Sequence, residues 1–163
     1  MRIAALTFGV IFASLVAGTA NGRDLPDRSR TPGVRNPAVT QANIKRTICK
    51  SGWTATIRPP VSYTNRLKRQ QIIEYGYTNK KLASYEEDHL ISLQLGGHPR
   101  NPRNLWPQPY KGTCGARVKD VIETKLKRLV CSRTITLSRA QGMIARNWIQ
   151  AYVQYVKPLR CPG

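Results

Sequence analysis

Acidic residues are scarce in this chain. Of 163 residues, 8 are Asp or Glu against 27 Lys or Arg, a formal net charge of +19. The imbalance excludes a cationic polymer as partner and favours a polyanion, because neutralising phosphates releases condensed counterions. Charge sets the sign of the partner and not its identity. Basic exported proteins also use charge for solubility, or to bind anionic membranes and cell-wall polymers. Histidine is scarcer still, with only His89 and His98. Of the 4 cysteines (Cys49, Cys114, Cys131, Cys161), none has a partner two to four residues away, so the spacing of a zinc ribbon is absent. One long apolar run occurs, Ile3 to Ala17, shorter than the ~20 residues that span a bilayer. No internal repeat is visible. No segment resembles a helix-turn-helix or zinc finger, so direct reading of base edges has no obvious source. The length allows one compact domain.

The apolar run follows Arg2 and precedes the small residues Gly18, Thr19 and Ala20. This pattern predicts a secretory signal peptide over 1–20, cut after Ala20 or, as second choice, after Gly22. No stable membrane insertion is expected after cleavage, and the protein is expected to be secreted or periplasmic. Losing Arg2 takes the charge from +19 to +18. Four cysteines in an exported chain predict two disulfides, whose pairing the spacing leaves open. The stretch that follows, "RDLPDRSRTPGVRNPAVTQ", is rich in Arg, Pro and Gly and predicts a flexible basic tail over 21–43, with the folded domain over 44–163.

Within that domain Trp53, Ala55 and Ile57 alternate with polar residues, as on a short strand ended by Pro59 and Pro60. Thr64 is placed to cap a helix over Asn65 to Tyr75, with Leu67, Gln71 and Ile72 on one face and Gly76 as its left-handed stop. "ARVKDVIETKLKRLVC" sets Val118, Ile122, Leu126 and Leu129 along one stripe, widened by Val121 and Val130, which predicts an amphipathic helix. Arg117, Lys119, Lys125, Lys127 and Arg128 then fall on its exposed face, either solvated or following a phosphate backbone. A last helix opens at Ser138, with Gln141 at capping-box spacing, lines Ala140, Ile144, Trp148 and Tyr152 on one side, and closes by Pro158.

The segment "YEEDHLISLQLGGHPRNPRNLWPQPY", Tyr85 to Tyr110, gathers three of the eight acidic residues directly before a histidine. Asp88 to Leu95 reads as a strand, Gly96 and Gly97 as a sharp reversal, and "HPRNPRN" as a loop leading back into order at Asn104 to Trp106. Asp88-His89, Gly96-Gly97 and Asn104-Leu105, in that order, resemble the HNH nucleases of the ββα-metal superfamily. From Cys49-x-x-Gly52-Trp53 through "RPP", "NLWPQP" and "VC" the chain is also similar to small exported bacterial proteins described as HNH-like. The resemblance implies an α+β fold, a ββα-metal core flanked by additional helices and stabilised by disulfides. It implies metal-dependent phosphodiester hydrolysis of DNA, and of RNA in a wider reading, with little sequence preference.

The residue types suit that chemistry. A neutral imidazole accepts a proton near physiological pH, so His89 is the candidate general base. A hard divalent cation on carboxylate oxygen neutralises phosphate, so Asp88 is the candidate metal ligand, with Mg2+ as first choice and Mn2+ or Zn2+ as alternatives. By resemblance, Asn104 orients His89 through its side-chain carbonyl. Many HNH members carry a second ligand on the following helix, but no histidine follows His98. Asp120 and Glu123 are the candidates to replace it. The competing reading pairs Glu123 with Lys119 or Lys127 and gives Asp120 to the helix dipole. Glu86 and Glu87 read as surface partners of nearby Arg or Lys, worth about 0–1 kcal/mol. Arg100, Arg103, Lys111, Arg117 and Lys119 are the candidate phosphate contacts. Trp106 reads as a packing anchor and His98 as a loop residue or phosphate contact. Two other functions fit the same residues. One is a catalytically silent module of this fold that binds nucleic acid or another anionic polymer. The other is a structural exported protein in which Asp88 and His89 satisfy a buried polar network.

Overall fold

Helices dominate residues 25–161, which a computed structural model describes; the expected leader, 1–20, lies outside the described residues. The fold is α+β, and its described elements run α1 (Trp53–Ile57), α2 (Val61–Glu74), β1 (Tyr85–His89), β2 (Leu105–Pro109), α3 (Ala116–Cys131) and α4 (Leu137–Tyr155), with short 3-10 turns between them. Disulfides join Cys49 to Cys131 and Cys114 to Cys161. No helix among the described residues is long and apolar enough to cross a membrane.

β1 and β2 pair antiparallel, with Asp88 opposite Trp106 and His89 opposite Leu105. The bonds Leu90 N–H to Asn104 C=O (2.8 Å) and Tyr110 N–H to Ser84 C=O (3.0 Å) continue the ladder at both ends. They fix its parity. Pro107 and Pro109 therefore stand opposite Glu87 and Tyr85, at positions that need no N–H, and this is how a strand with two prolines still pairs. The strand expected over Asp88 to Leu95 thus lies earlier. It ends at His89, and Leu93–Leu95 is a 3-10 turn.

The expected strand at Trp53 is a helical turn instead, entered through Gly52 at φ 76°. Trp53 and Ile57 lie four apart and share its half-buried side while Ala55 is exposed, a pattern that five residues cannot distinguish from strand alternation. α2 begins at Val61 behind Pro60, four residues before the expected start, and Thr64 returns its hydroxyl to Val61 C=O within the helix rather than capping it. Its end is as expected. Gly76 adopts φ 70°, Gly76 N–H reaches Ile73 C=O and Tyr77 N–H reaches Ile72 C=O, while Ile72 and Tyr77 pack together. α3 has the bounds that its periodicity predicts. α4 is capped by Thr136 and not by Ser138; Gln141 instead donates to Leu95 C=O, and a break at Asn147 divides the helix in two. Ala140, Ile144, Trp148 and Tyr152 do face the core that α4 shares with α3, Ile44, Ile48, Ile91 and Leu95.

The segment read as a flexible tail is a strap over the glycine loop from Thr31 onward. Thr31 is fully buried, its hydroxyl donating to Leu105 C=O and lying 2.6 Å from the Tyr75 hydroxyl. Gly33 N–H bonds to Arg103 C=O, His98 N–H to Val34 C=O, and Asn36 N–H to Gly96 C=O. Backbone hydrogen bonds hold this strap, so its low apolar content gave no sign of order.

Candidate active site

Alternation along β1 sends Tyr85, Glu87 and His89 to the α2 side and Glu86 and Asp88 to the α3 side. Two adjoining cavities result. The larger, about 260 Å³, has Arg58, Asn65, Lys68, Glu87, His89 and Tyr110 among its lining residues. The smaller, about 70 Å³, is walled by Arg58, Glu86, Asp88, His89, Asp120 and Glu123 among others. His89, Arg58 and Glu86 line both.

His89 is buried, and its Nε2 lies 2.9 Å from Pro99 C=O. A carbonyl only accepts, so Nε2 carries the proton and Nδ1 holds the lone pair of the neutral ring. Burial pushes the imidazole below its ordinary 6.5, against the opposing pull of Pro99 C=O and Asp88. The ring is therefore neutral at physiological pH.

Asn104 does not orient His89 through its side chain, as the resemblance implied. Fully buried, it accepts from Val34 N–H and Ile91 N–H at 3.1 Å and donates to Ile91 C=O and His98 C=O at 3.0 Å. All four contacts lock the strap and the glycine loop. Its effect on His89 runs through that loop, which ends in the Pro99 carbonyl. Gly97 completes the lock, since a Cβ there would lie 1.6 Å from Ile91 O.

Lys119 departs furthest from expectation. It is only 1 % exposed, and Nζ donates to His89 C=O at 2.9 Å and to Glu123 Oε1 at 2.5 Å, with Asp88 Oδ2 at 2.7 Å. It therefore cannot contact phosphate. Burial alone would lower its pKa, but Asp88 and Glu123 outweigh that and hold it above the ordinary lysine range. Glu123 takes the ion pair with Lys119; burial pushes its carboxyl above the ordinary range, against the pull of that lysine. Burial, then Asp88, raise Glu86 and Asp120.

These residues do not fit the expected metal centre. Four carboxylates of the hard-donor class wall the small cavity, yet among the described residues no three His, Cys, Asp or Glu side chains are grouped to hold a metal ion. The point on which Asp88 and Glu123 converge is taken by the Lys119 ammonium.

The remaining candidate phosphate contacts are solvent-facing. Arg100 is exposed, with its guanidinium 5.8 Å from the Tyr63 ring and its C=O accepting from the Tyr63 hydroxyl. Arg103 and Lys111 are exposed, and Arg117 lies 5.7 Å over the Tyr110 ring at the rim of the larger cavity. His98 is a loop residue whose Nδ1 accepts from Arg100 N–H and Asn101 N–H. Trp106 is fully buried, as a packing anchor.

Three cavity residues escape a reading of the sequence: Arg58, Lys68 and Glu87. Glu87 is 8 % exposed rather than a surface partner, and neither carboxyl oxygen has a hydrogen-bond partner among the described residues. Burial pushes it up to about 9, opposed by Lys68, so it is neutral at physiological pH. Lys68 is buried across α2 and donates to Tyr85 C=O at 2.8 Å. The one available signal was its position one turn ahead of Ile72, on the buried stripe of α2.

No family model, curated protein or solved structure matches the chain.

Proposed function

We propose that this chain hydrolyses phosphodiester bonds of nucleic acid, DNA in the first instance, with His89 as the general base. The observation that carries the reading is the state of His89: a neutral imidazole, fixed at Nε2 by a backbone carbonyl, at the junction of two cavities in a strongly basic chain. The succession β1, glycine turn, β2, α3 supports an HNH-like ββα core. The two disulfides support an oxidising, exported location.

A water at the His89 cavity gives its proton to Nδ1 and attacks phosphorus, the P–O bond to the leaving sugar oxygen breaks, and that oxygen takes a proton from solvent. The Nε2–H bond to Pro99 C=O steadies the imidazolium until it returns its proton to solvent. The acidic segment does not repel the incoming phosphate as strongly as its sequence suggests. Glu87 is neutral in its burial, and Lys119 compensates Asp88. Arg58, lining both cavities, is the cation placed to meet the phosphate. Contacts of this kind address the backbone and not the bases, so cutting is expected to show little sequence preference.

The same fold acting as a silent binder of nucleic acid is favoured by one observation, the ammonium of Lys119 at the point where a metal ligand pair was expected. Plasmid nicking by the wild type and His89→Ala, in Mg2+, in Mn2+ and in EDTA, separates the two readings when run beside a gel shift at rising salt. Cutting lost in His89→Ala supports hydrolysis. Salt-sensitive binding with no cutting in any condition supports the silent binder.

A further inference from the structure

We propose that the ammonium of Lys119 is the built-in cation of this site, holding Asp88 and Glu123 in place of a divalent metal, so that the protein assembles its cavity and turns over without one. The proposal deepens the hydrolytic reading and rests on it for turnover alone.

Three oxygens from three residues surround Nζ: Asp88 Oδ2 at 2.7 Å, Glu123 Oε1 at 2.5 Å and His89 C=O at 2.9 Å. Glu123 Oε1 and His89 C=O accept hydrogen bonds from the ammonium, and Asp88 Oδ2 completes its surroundings as an ion-pair partner. The set joins the end of β1 to α3, and through His89 C=O it fixes the backbone of the proposed base itself. Lys119 is one turn ahead of Glu123 on the same helix and almost wholly buried, so it has no solvent-facing position to withdraw to. A divalent ion entering between Asp88 and Glu123 would leave that ammonium buried and unpaired, an arrangement far costlier than the pair it replaces. The outward carboxylates, Glu86 and Asp120, share the small cavity with Arg58, a further positive charge beside any incoming cation. Positive charge is thus already supplied on both sides of Asp88, from within by Lys119 and from the cavity by Arg58.

The test uses the full chain with both disulfides intact, titrated with Mn2+ by calorimetry and melted with and without Mn2+. The wild type is expected to take up no stoichiometric Mn2+ and to melt at the same temperature in Mn2+ and in EDTA. Lys119→Met, which frees the carboxylate pair, is expected to gain one Mn2+ site and a melting temperature raised by Mn2+, both lost when Asp88→Asn is added. Stoichiometric uptake by the wild type that Asp88→Asn abolishes would overturn the proposal, as would a folded Lys119→Met that binds none. Should Lys119→Met fail to fold with or without Mn2+, the wild-type and Asp88→Asn titrations decide on the same terms. DNA cutting, if present, is expected to persist in EDTA, and its loss there would also overturn the proposal. An absence of cutting in every condition, with no Mn2+ uptake, would count against the hydrolytic reading while supporting the cation assignment.

Discussion

His89 and Glu87 stand two residues apart on one face of β1, and burial moves each toward its neutral form. For His89 the effect is a base that stays unprotonated to below its ordinary 6.5. The acidic limb of kcat/KM for nucleic acid cleavage is therefore expected below pH 6.5, and a limb above it would contradict the assignment. For Glu87 the shift is upward, from 4.5 to about 9, so the folded state binds a proton that the unfolded state releases. The stability linked to Glu87 is fully present below pH 4.5 and is lost as pH rises toward about 9. Glu87→Gln, permanently neutral, is expected to match the wild type at about pH 4 and to melt higher at alkaline pH, by roughly 2–4 °C for each kcal/mol regained. Thermal melts across pH check this, and an equal offset at all pH values would refute it. Such residues were only partly legible in the sequence. Asp88-His89 stood out because an acid and an imidazole adjoin in a basic chain. Lys119 did not, because its charge suggests a surface residue and its partner Asp88 lies 31 positions away on a strand.

At the scale of elements, one buried side chain braces the glycine loop beside its backbone bonds to the strap. Asn104 closes four hydrogen bonds to the strap and the loop, all in a fully buried position. Asn104→Ala is expected to cost about 3–5 kcal/mol in chemical denaturation, because several buried backbone groups lose their partner together. A cost below about 1 kcal/mol would show that the loop closes without it. Legibility among the elements tracks their length. Sixteen residues of α3 carry enough turns for the 3.6-residue period to fix both ends, whereas α1, with five, fits either period. The strap was missed for a different reason: its order comes from main-chain bonds to Asn104, Gly96 and His98, contacts to which composition is blind.

For the whole molecule, the disulfides tie two segments distant in sequence to the two ends of α3. Cys49–Cys131 ties the residues just before α1 to the end of α3, and Cys114–Cys161 ties the C-terminal segment to its start. With its cysteines 47 positions apart, the second bridge is expected to contribute about 4 kcal/mol through loop closure. Replacing both Cys114 and Cys161 by Ser, with unfolding followed in urea, measures it; an unchanged midpoint would contradict the estimate. The chain carries +18 once the expected leader is removed, and in its cavity Glu87 is neutral while Lys119 compensates Asp88, which suits a polyanion entering at Arg58 and meeting His89. The most direct test is nicking of supercoiled plasmid by the wild type beside a folded His89→Ala. The account predicts open-circle product from the wild type and a loss of at least about 100-fold in the variant. Equal cutting by both would contradict it.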